Sequence, residues 1–231
     1  MIGKLGLGLG LGAHWKVGGA GNKPATFSIA AGFVDTGVKR INFSEPVTVT
    51  ITGDVTLSID GTPYLSGETI PVATTYHTLT INNPGVDAGT ITFGKRKQIT
   101  YLYLNNLGSS VITGDITGMK LTSLYLRNIG SSLTYGTNSL NITFNLGIQL
   151  LGDTVFSANE YIQLFADAAT CVTDGKWTAS TKVMTISGGE NPGWSNVSAY
   201  YATIVGGGVT VKVPIAWESG EDPFPPETPN P

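Results

Sequence analysis

The sequence predicts a mainly β chain, in which short parallel strands stack as a solenoid behind a β-rich region and ahead of two helices. Residues 99–110 read ITYLYLNNLGSS and residues 121–132 read LTSLYLRNIGSS. At this step of 22 the two windows share eight identities and two Ile/Leu exchanges. A unit so short cannot bury its own apolar face, so a period of this size implies stacking of neighbours. Composition agrees: 31 of 231 residues are glycine and only 13% are charged, amid abundant Thr, Val, Ile and Ser. From about residue 157 the alternating texture gives way to helical spacing.

Residues 1–25 form a Gly/Leu-rich arm. Gly alternates with Leu from Leu5 to Gly12, and each glycine costs a helix about 1 kcal/mol against Ala. The segment therefore suits an extended strand rather than the continuous apolar helix of a cleavable signal. No run is long enough to cross a membrane. Such an arm offers a low-bulk strand to an assembly partner, and an ordinary edge strand of the same chain fits it equally.

Residues 26–76 read as a β-rich cap region. TFSIAAGFV, VKRINF, VTVTI and VTLSI are separated by turn signals at SEP, TGD and DGTP, and HTLTI and TITFG continue the series through residue 94. Residues 77–213 form the solenoid. In the repeat, Leu102 and Leu104 match Leu124 and Leu126, and alternate residues of a strand face one side. Upstream, TLTINNPG (78–85) matches YLYLNNLG with a step of 23, and Leu57 and Ile59 precede Leu79 and Ile81 by 22. Ile142 and Phe144 are placed as a shortened fifth rung. The return paths GSSVITGDITGMK and GSSLTYGTNS are rich in turn formers.

The copies Ile99-x-x-Leu102-x-Leu104 and Leu121-x-x-Leu124-x-Leu126 resemble the leucine-rich repeat. They depart from it where the family's Asn stands, since Leu107 and Ile129 occupy that place and Asn106 and Asn128 come one residue early. A parallel β-helix is the alternative architecture.

Further on, Ser157 and Glu160 carry a capping-box signature, with Tyr161, Leu164, Phe165 and Ala168 at helical spacing behind them. The strand KVMTIS (182–187) follows, then a helix over Ser195–Ile204 stopped by Gly206-Gly207-Gly208, then the strand VTVKV (209–213). This order implies parallel strands. SGGENPGWSNVSAYYATIVGGGVTVKV and ITGDITGMKLTSLYL resemble repeat units of leucine-rich-repeat proteins from gut Bacteroidales and their phages. The Gly/Leu opening is similar to the starts of tailed-phage structural proteins. Together these resemblances imply a virion or prophage component made without a signal peptide, with a cell-surface protein as the alternative. Residues 214–231 hold six prolines and four acids and read as an extended tail. Trp217 and Phe224 are anchor candidates there, unless Trp217 covers the last strand.

Chemistry-bearing patterns are sparse. Net charge is −3, and GKRKQ (94–98) is the one basic cluster, so nucleic acid is not expected as a partner. His14 and His77 lack the companions a zinc site requires. No phosphate-binding loop or serine nucleophile elbow occurs, and no cofactor or metal is expected. Cys171 reads as a small buried apolar residue. Asp60, Asp87 and Asp115 lie near turns, where Asp usually bonds its own backbone. A carboxylate pair among them would instead suit a polysaccharide-active β-helix enzyme.

What remains is the outward face of the repeat strands. With Leu102, Leu104, Leu124 and Leu126 inward, Thr80, Tyr103 and Tyr125 form one column. Thr78, Tyr101 and Ser123 form a second, and Asn82, Asn105 and Arg127 a third. The binding surface expected is Thr80, Tyr101, Tyr103, Asn105, Ser123, Tyr125 and Arg127, a mixture suited to a protein or glycan surface. Tyr–Tyr pairing that merely stabilises the sheet accounts for the same pattern. The reading is a non-enzymatic attachment or recognition protein of a virion, open to homo-oligomeric assembly. An adhesin or glycan-binding module is the alternative.

Overall fold

A computed structural model describes residues 19–105, 112–130, 133–218 and 222–224. In chain order the strands are β1 (Pro24–Ile29), β2 (Lys39–Phe43), β3 (Val47–Thr52), β4 (Thr56–Ile59), β5 (Thr62–Tyr64), β6 (Thr69–Ile70), β7 (His77–Asn82) and β8 (Gly89–Lys95). There follow β9 (Ile99–Asn105), β10 (Ile112–Asp115), β11 (Lys120–Leu121), β12 (Ser123–Arg127), β13 (Leu133–Thr134), β14 (Ser139–Leu140) and β15 (Ile148–Leu151). Helix α1 (Ala158–Thr173), β16 (Val183–Ile186), α2 (Trp194–Gly206) and β17 (Thr210–Lys212) complete the order.

Among the described residues these strands build two large mixed sheets. One runs β17-β16-β15-β12-β9-β2-β7-β4-β5, the other β13-β10-β1-β8-β3-β6, and β11 pairs with β14. Alternation explains the layering. Phe27, Ile91, Phe93 and Ile112 of the smaller sheet meet Ile41, Leu79, Ile81, Leu102 and Leu104 of the larger around a small apolar cavity. The Phe43 and Phe93 rings bridge the layers at 5.9 Å. Lys39 lies fully buried in the same layer, and there it pairs with Asp35 and donates to the Gly37 carbonyl at 3.1 Å. Burial pushes its ammonium down, while Asp35 opposes that. Asp35 also accepts from the Ile81 N–H at 2.9 Å, which ties the β1–β2 connection to β7.

The two central repeat copies pair as expected. Leu102, Tyr103 and Leu104 stand in parallel register with Leu124, Tyr125 and Leu126. Strands β10 and β13, and β11 and β14, pair in parallel as well. The chain from 99 to 140 therefore makes two turns with like strands side by side. Beyond them β15, β16 and β17 continue the parallel run.

The outer copies are a correction. β7 pairs antiparallel with β2 and with β4, and β2 separates it from β9, so Leu79/Ile81 and Leu57/Ile59 are not successive rungs. An L-x-L pattern marks one buried face and carries no strand direction, because side chains alternate alike in both kinds of ladder. Ile142 is buried but Phe144 lies outside any strand. The rung after Leu124/Leu126 is Ile148/Leu150. The molecule as a whole is mainly β with mixed sheets, not a parallel solenoid.

The helices follow their signals. The Ser157 N–H donates to Glu160 Oε2 at 2.8 Å and completes a capping box ahead of α1. α2 ends at Gly206, capped by Gly207, with Gly208 at φ +78°. Cys171 is buried within α1. Ile129, standing where the leucine-rich repeat has Asn, is fully buried. The tail also departs from expectation. Trp217 and Phe224 are buried, their rings 5.3 Å apart, and Trp217 Nε1 donates to the Gly189 carbonyl at 3.2 Å. Phe224 packs on Trp194 at 5.4 Å. Aromatic burial holds residues 214–218 and 222–224 against the helices despite the prolines, while 225–231 and the arm over 1–18 lie outside the described residues.

Candidate functional site

The outward face of the nine-stranded sheet carries one continuous row. Arg40 of β2 stands opposite Tyr103 of β9. Tyr103 is in register with Tyr125 of β12, Tyr125 with Gln149 of β15, Gln149 with Thr185 of β16, and Thr185 with Lys212 of β17. Directly opposed residues share a face, so the row crosses six neighbouring strands, about 24 Å at ordinary strand spacing. It holds two cations, two phenols, an amide and a hydroxyl, and no carboxylate. Among the described residues neither Arg40, Arg127 nor Lys212 has an ion-pair partner.

At its β2 end the row is tightly stacked. The Tyr103 and Tyr125 rings lie 4.1 Å apart and within 4° of parallel. The Arg40 guanidinium sits between Tyr103 at 5.1 Å and Tyr76 at 4.5 Å, an arrangement worth about 0.5–2 kcal/mol per contact. Tyr76 stacks in turn on Tyr101 at 5.4 Å. Because ring faces meet one another and Tyr125 is buried, the row offers no open aromatic face. Burial pushes the Tyr101 and Tyr103 phenols up, so both stay protonated and neutral at physiological pH. Two buried atoms in this region, Arg40 Nε and Asn105 Oδ1, have no hydrogen-bond partner, an uncommon state for buried polar atoms in native structures.

The expected surface residues divide. Tyr103 and Tyr125 share the row, Tyr103 partly exposed and Tyr125 largely covered. Asn105 and Arg127 pair in the next column. Tyr101 and Ser123 are buried: Phe144 closes over Tyr101 edge-on at 5.0 Å, and the Ser123 hydroxyl faces the Gly147 carbonyl at 3.4 Å. Thr80 is exposed but pairs with Ser58 of β4. Thr78, and not Thr80, stands opposite Arg40. Sequence reasoning missed Arg40, Tyr76, Gln149, Thr185 and Lys212. Arg40 was visible as the outward residue of VKRINF. The others depend on strand order, which no local pattern reveals.

Two of the three carboxylate candidates, Asp60 and Asp115, are engaged locally. Asp60, at φ 51°, accepts from the Thr78 N–H at 2.8 Å and bonds His77 Nδ1 at 2.7 Å. Burial pushes its carboxyl up, but these two partners hold it below its ordinary value. Asp115 is bound by the Thr117 N–H at 2.8 Å and by Arg96 at 2.6 Å. Burial opposes ionisation there too, and Thr117 and Arg96 outweigh it. At Asp87 it is the backbone carbonyl, not the carboxylate, that accepts from Asn83 Nδ2 at 2.9 Å. Among the described residues no three His, Cys, Asp or Glu side chains are placed to hold a metal, and no helix is long and apolar enough to cross a membrane.

No family model, curated protein or solved structure matches the chain.

Proposed function

We propose that the chain is a non-enzymatic recognition protein whose Arg40–Tyr103–Tyr125–Gln149–Thr185–Lys212 row grips an acceptor-rich, acidic surface. The observation that carries this reading is the row itself: polar side chains in register on six adjacent strands, with cations at both ends and no carboxylate among them. Within it the Gln149 amide also donates to the Leu146 carbonyl at 2.8 Å, and Tyr125 is buried. Guanidinium, ammonium, amide and phenol groups at regular spacing suit a repetitive acidic partner. Stacking fixes the Arg40 side chain beforehand, which lowers the entropy lost on binding. The resemblance of residues 99–213 to repeat proteins of gut Bacteroidales and their phages supports a virion-associated setting, in which the row meets a host or partner surface. The leucine-rich-repeat likeness is kept for the parallel run β9–β12–β15–β16–β17. A cell-surface glycan-binding module is the second reading, and the carboxylate-free row favours it when the partner is an acidic polysaccharide.

The test is binding of the full chain to immobilised alginate, heparin and poly-glutamate, with neutral dextran as control. At least one acidic polymer is retained, dextran is not, and the double variant R40Q/K212Q binds it about tenfold or more weakly. Equal binding by the variant, or no acidic polymer bound, overturns the reading.

A further inference from the structure

We propose that a surface cleft floored by the close contact of Gly21 and Gly118 binds a single anionic sugar unit, one bearing a sulfate, phosphate or carboxylate. The inference is independent of the sheet-face row. The cleft has a volume of about 300 Å³, at the small end of the range for small-molecule sites. Lys97 and Lys120 line it together with Asn22, Thr137 and Ser139, and no acidic residue takes part. In a chain of net charge −3, two lysines converge here with no ion-pair partner among the described residues. Lysine meets an oxyanion as a point charge. The amide and the two hydroxyls offer neutral bonds of the kind sugar hydroxyls take.

The walls are held before any ligand arrives. A 3-10 turn at Ala20–Asn22 lies against another at Arg96–Gln98, and the Arg96 N–H donates to the Lys23 carbonyl at 3.0 Å. Arg96 is itself consumed by Asp115 at 2.6 Å and the Pro24 carbonyl at 3.2 Å, which leaves Lys97 as the cation for the cleft. At the floor, a Cβ on Gly118 would fall 2.4 Å from the Gly21 nitrogen, and Gly118 sits at φ +84°, so only glycine allows this approach. Asn138 completes the floor: its Oδ1 accepts from the Met119 N–H at 2.8 Å and its Nδ2 donates to the Gly136 carbonyl at 2.9 Å. Fixed walls with uncompensated charge define a preformed site for an anion.

Calorimetric titration of the full chain at low salt with glucose 6-sulfate, glucose 6-phosphate, galacturonate and glucose tests the site. At least one acid binds with a millimolar constant, glucose does not, and which acid binds identifies the charged group. The K97Q/K120Q variant weakens that binding by about tenfold or more, whereas K176Q, which removes an exposed lysine paired with Asp174 outside both the cleft and the row, leaves it unchanged. Failure of all three acids, or unaltered binding by K97Q/K120Q, overturns the proposal. If the double variant melts well below the wild type, K120Q alone carries the same comparison, because Lys120 is exposed. Since R40Q/K212Q reports on the row and K97Q/K120Q on the cleft, either idea fails without the other.

Discussion

Asp167 shows how a single buried group sets a pH response. Its Oδ2 accepts from the Asn138 N–H at 2.7 Å and from the Tyr135 hydroxyl at 2.9 Å, and its Oδ1 from Gln163 at 2.9 Å. Burial nevertheless dominates these donors and pushes the carboxyl up to about 7 from 3.8. The folded state thus holds a proton that the unfolded chain has released between those values. The stability this contributes is complete below the unfolded value, drains away as pH rises towards the folded one, and is flat above it. The unfolding free energy of wild type relative to D167N is expected to fall by on the order of 3 kcal/mol between about pH 4 and pH 8. Chemical denaturation at several pH values measures it, and comparison with the variant cancels Asp60 and Asp115, whose lowered values act in the opposite sense at acid pH. A difference that stays level with pH removes the claim that burial governs this carboxyl. None of this was legible in the sequence, where Asp167 is one polar position in a helix and the burial comes from Tyr135 and Asn138 on another turn of chain.

Elements were legible where the signal is local. The Ser157/Glu160 box placed the start of α1, the Gly206–Gly208 run placed the end of α2, and period-two alternation found β2, β3, β4, β7 and β8 to within a residue or two. Pairing direction was legible for β9 and β12, where whole windows repeat, and for β16 and β17, where the alternation of helix and strand implied the parallel pairing observed. Elsewhere a matched L-x-L and a shared turn chemistry imitated a rung that β2 in fact interrupts. The capping box also does more than its sequence suggests. Glu160 Oε1 accepts from the Tyr135 N–H at 2.7 Å while its Oε2 serves Ser157, so one carboxylate joins α1 to the segment after β13. S157A is expected to cost about 1 kcal/mol, within the usual range for a lost cap. E160A is expected to cost about 2–3 kcal/mol, because it also leaves a partly buried N–H without a partner. Equal losses in urea denaturation would show that the Tyr135 bond contributes nothing to stability.

At the scale of the molecule, the row on the nine-stranded sheet exists because two kinds of strand meet in one layer. Antiparallel β2 brings Arg40, and the parallel run from β9 to β17 brings the phenols, the amide, the hydroxyl and Lys212. The tyrosine pair was readable from the repeat and the outward position of Arg40 from VKRINF, but their union with Lys212 in one row was not, since Arg40 lies upstream of the repeat and Lys212 after two helices. A row of this length gains from being multiplied: several copies side by side raise the effective concentration of weak contacts far beyond that of one copy. In the recognition role proposed for the chain, a modest single site gains from such multiplication. We propose that the segment of Gly/Leu alternation from Leu5 to Gly12, which lies outside the described residues, supplies it by pairing with a neighbouring copy. Light scattering on the full chain and on a chain lacking residues 1–12 decides the matter. A defined oligomer that dissociates on truncation supports assembly through the arm, and the truncated chain is then expected to keep the calorimetric affinity of the cleft while losing retention on the acidic polymer. A monomer in both cases rejects the arm as a self-assembly strand and leaves the row to act one copy at a time, in which case retention on the polymer is expected to be the same for the two chains.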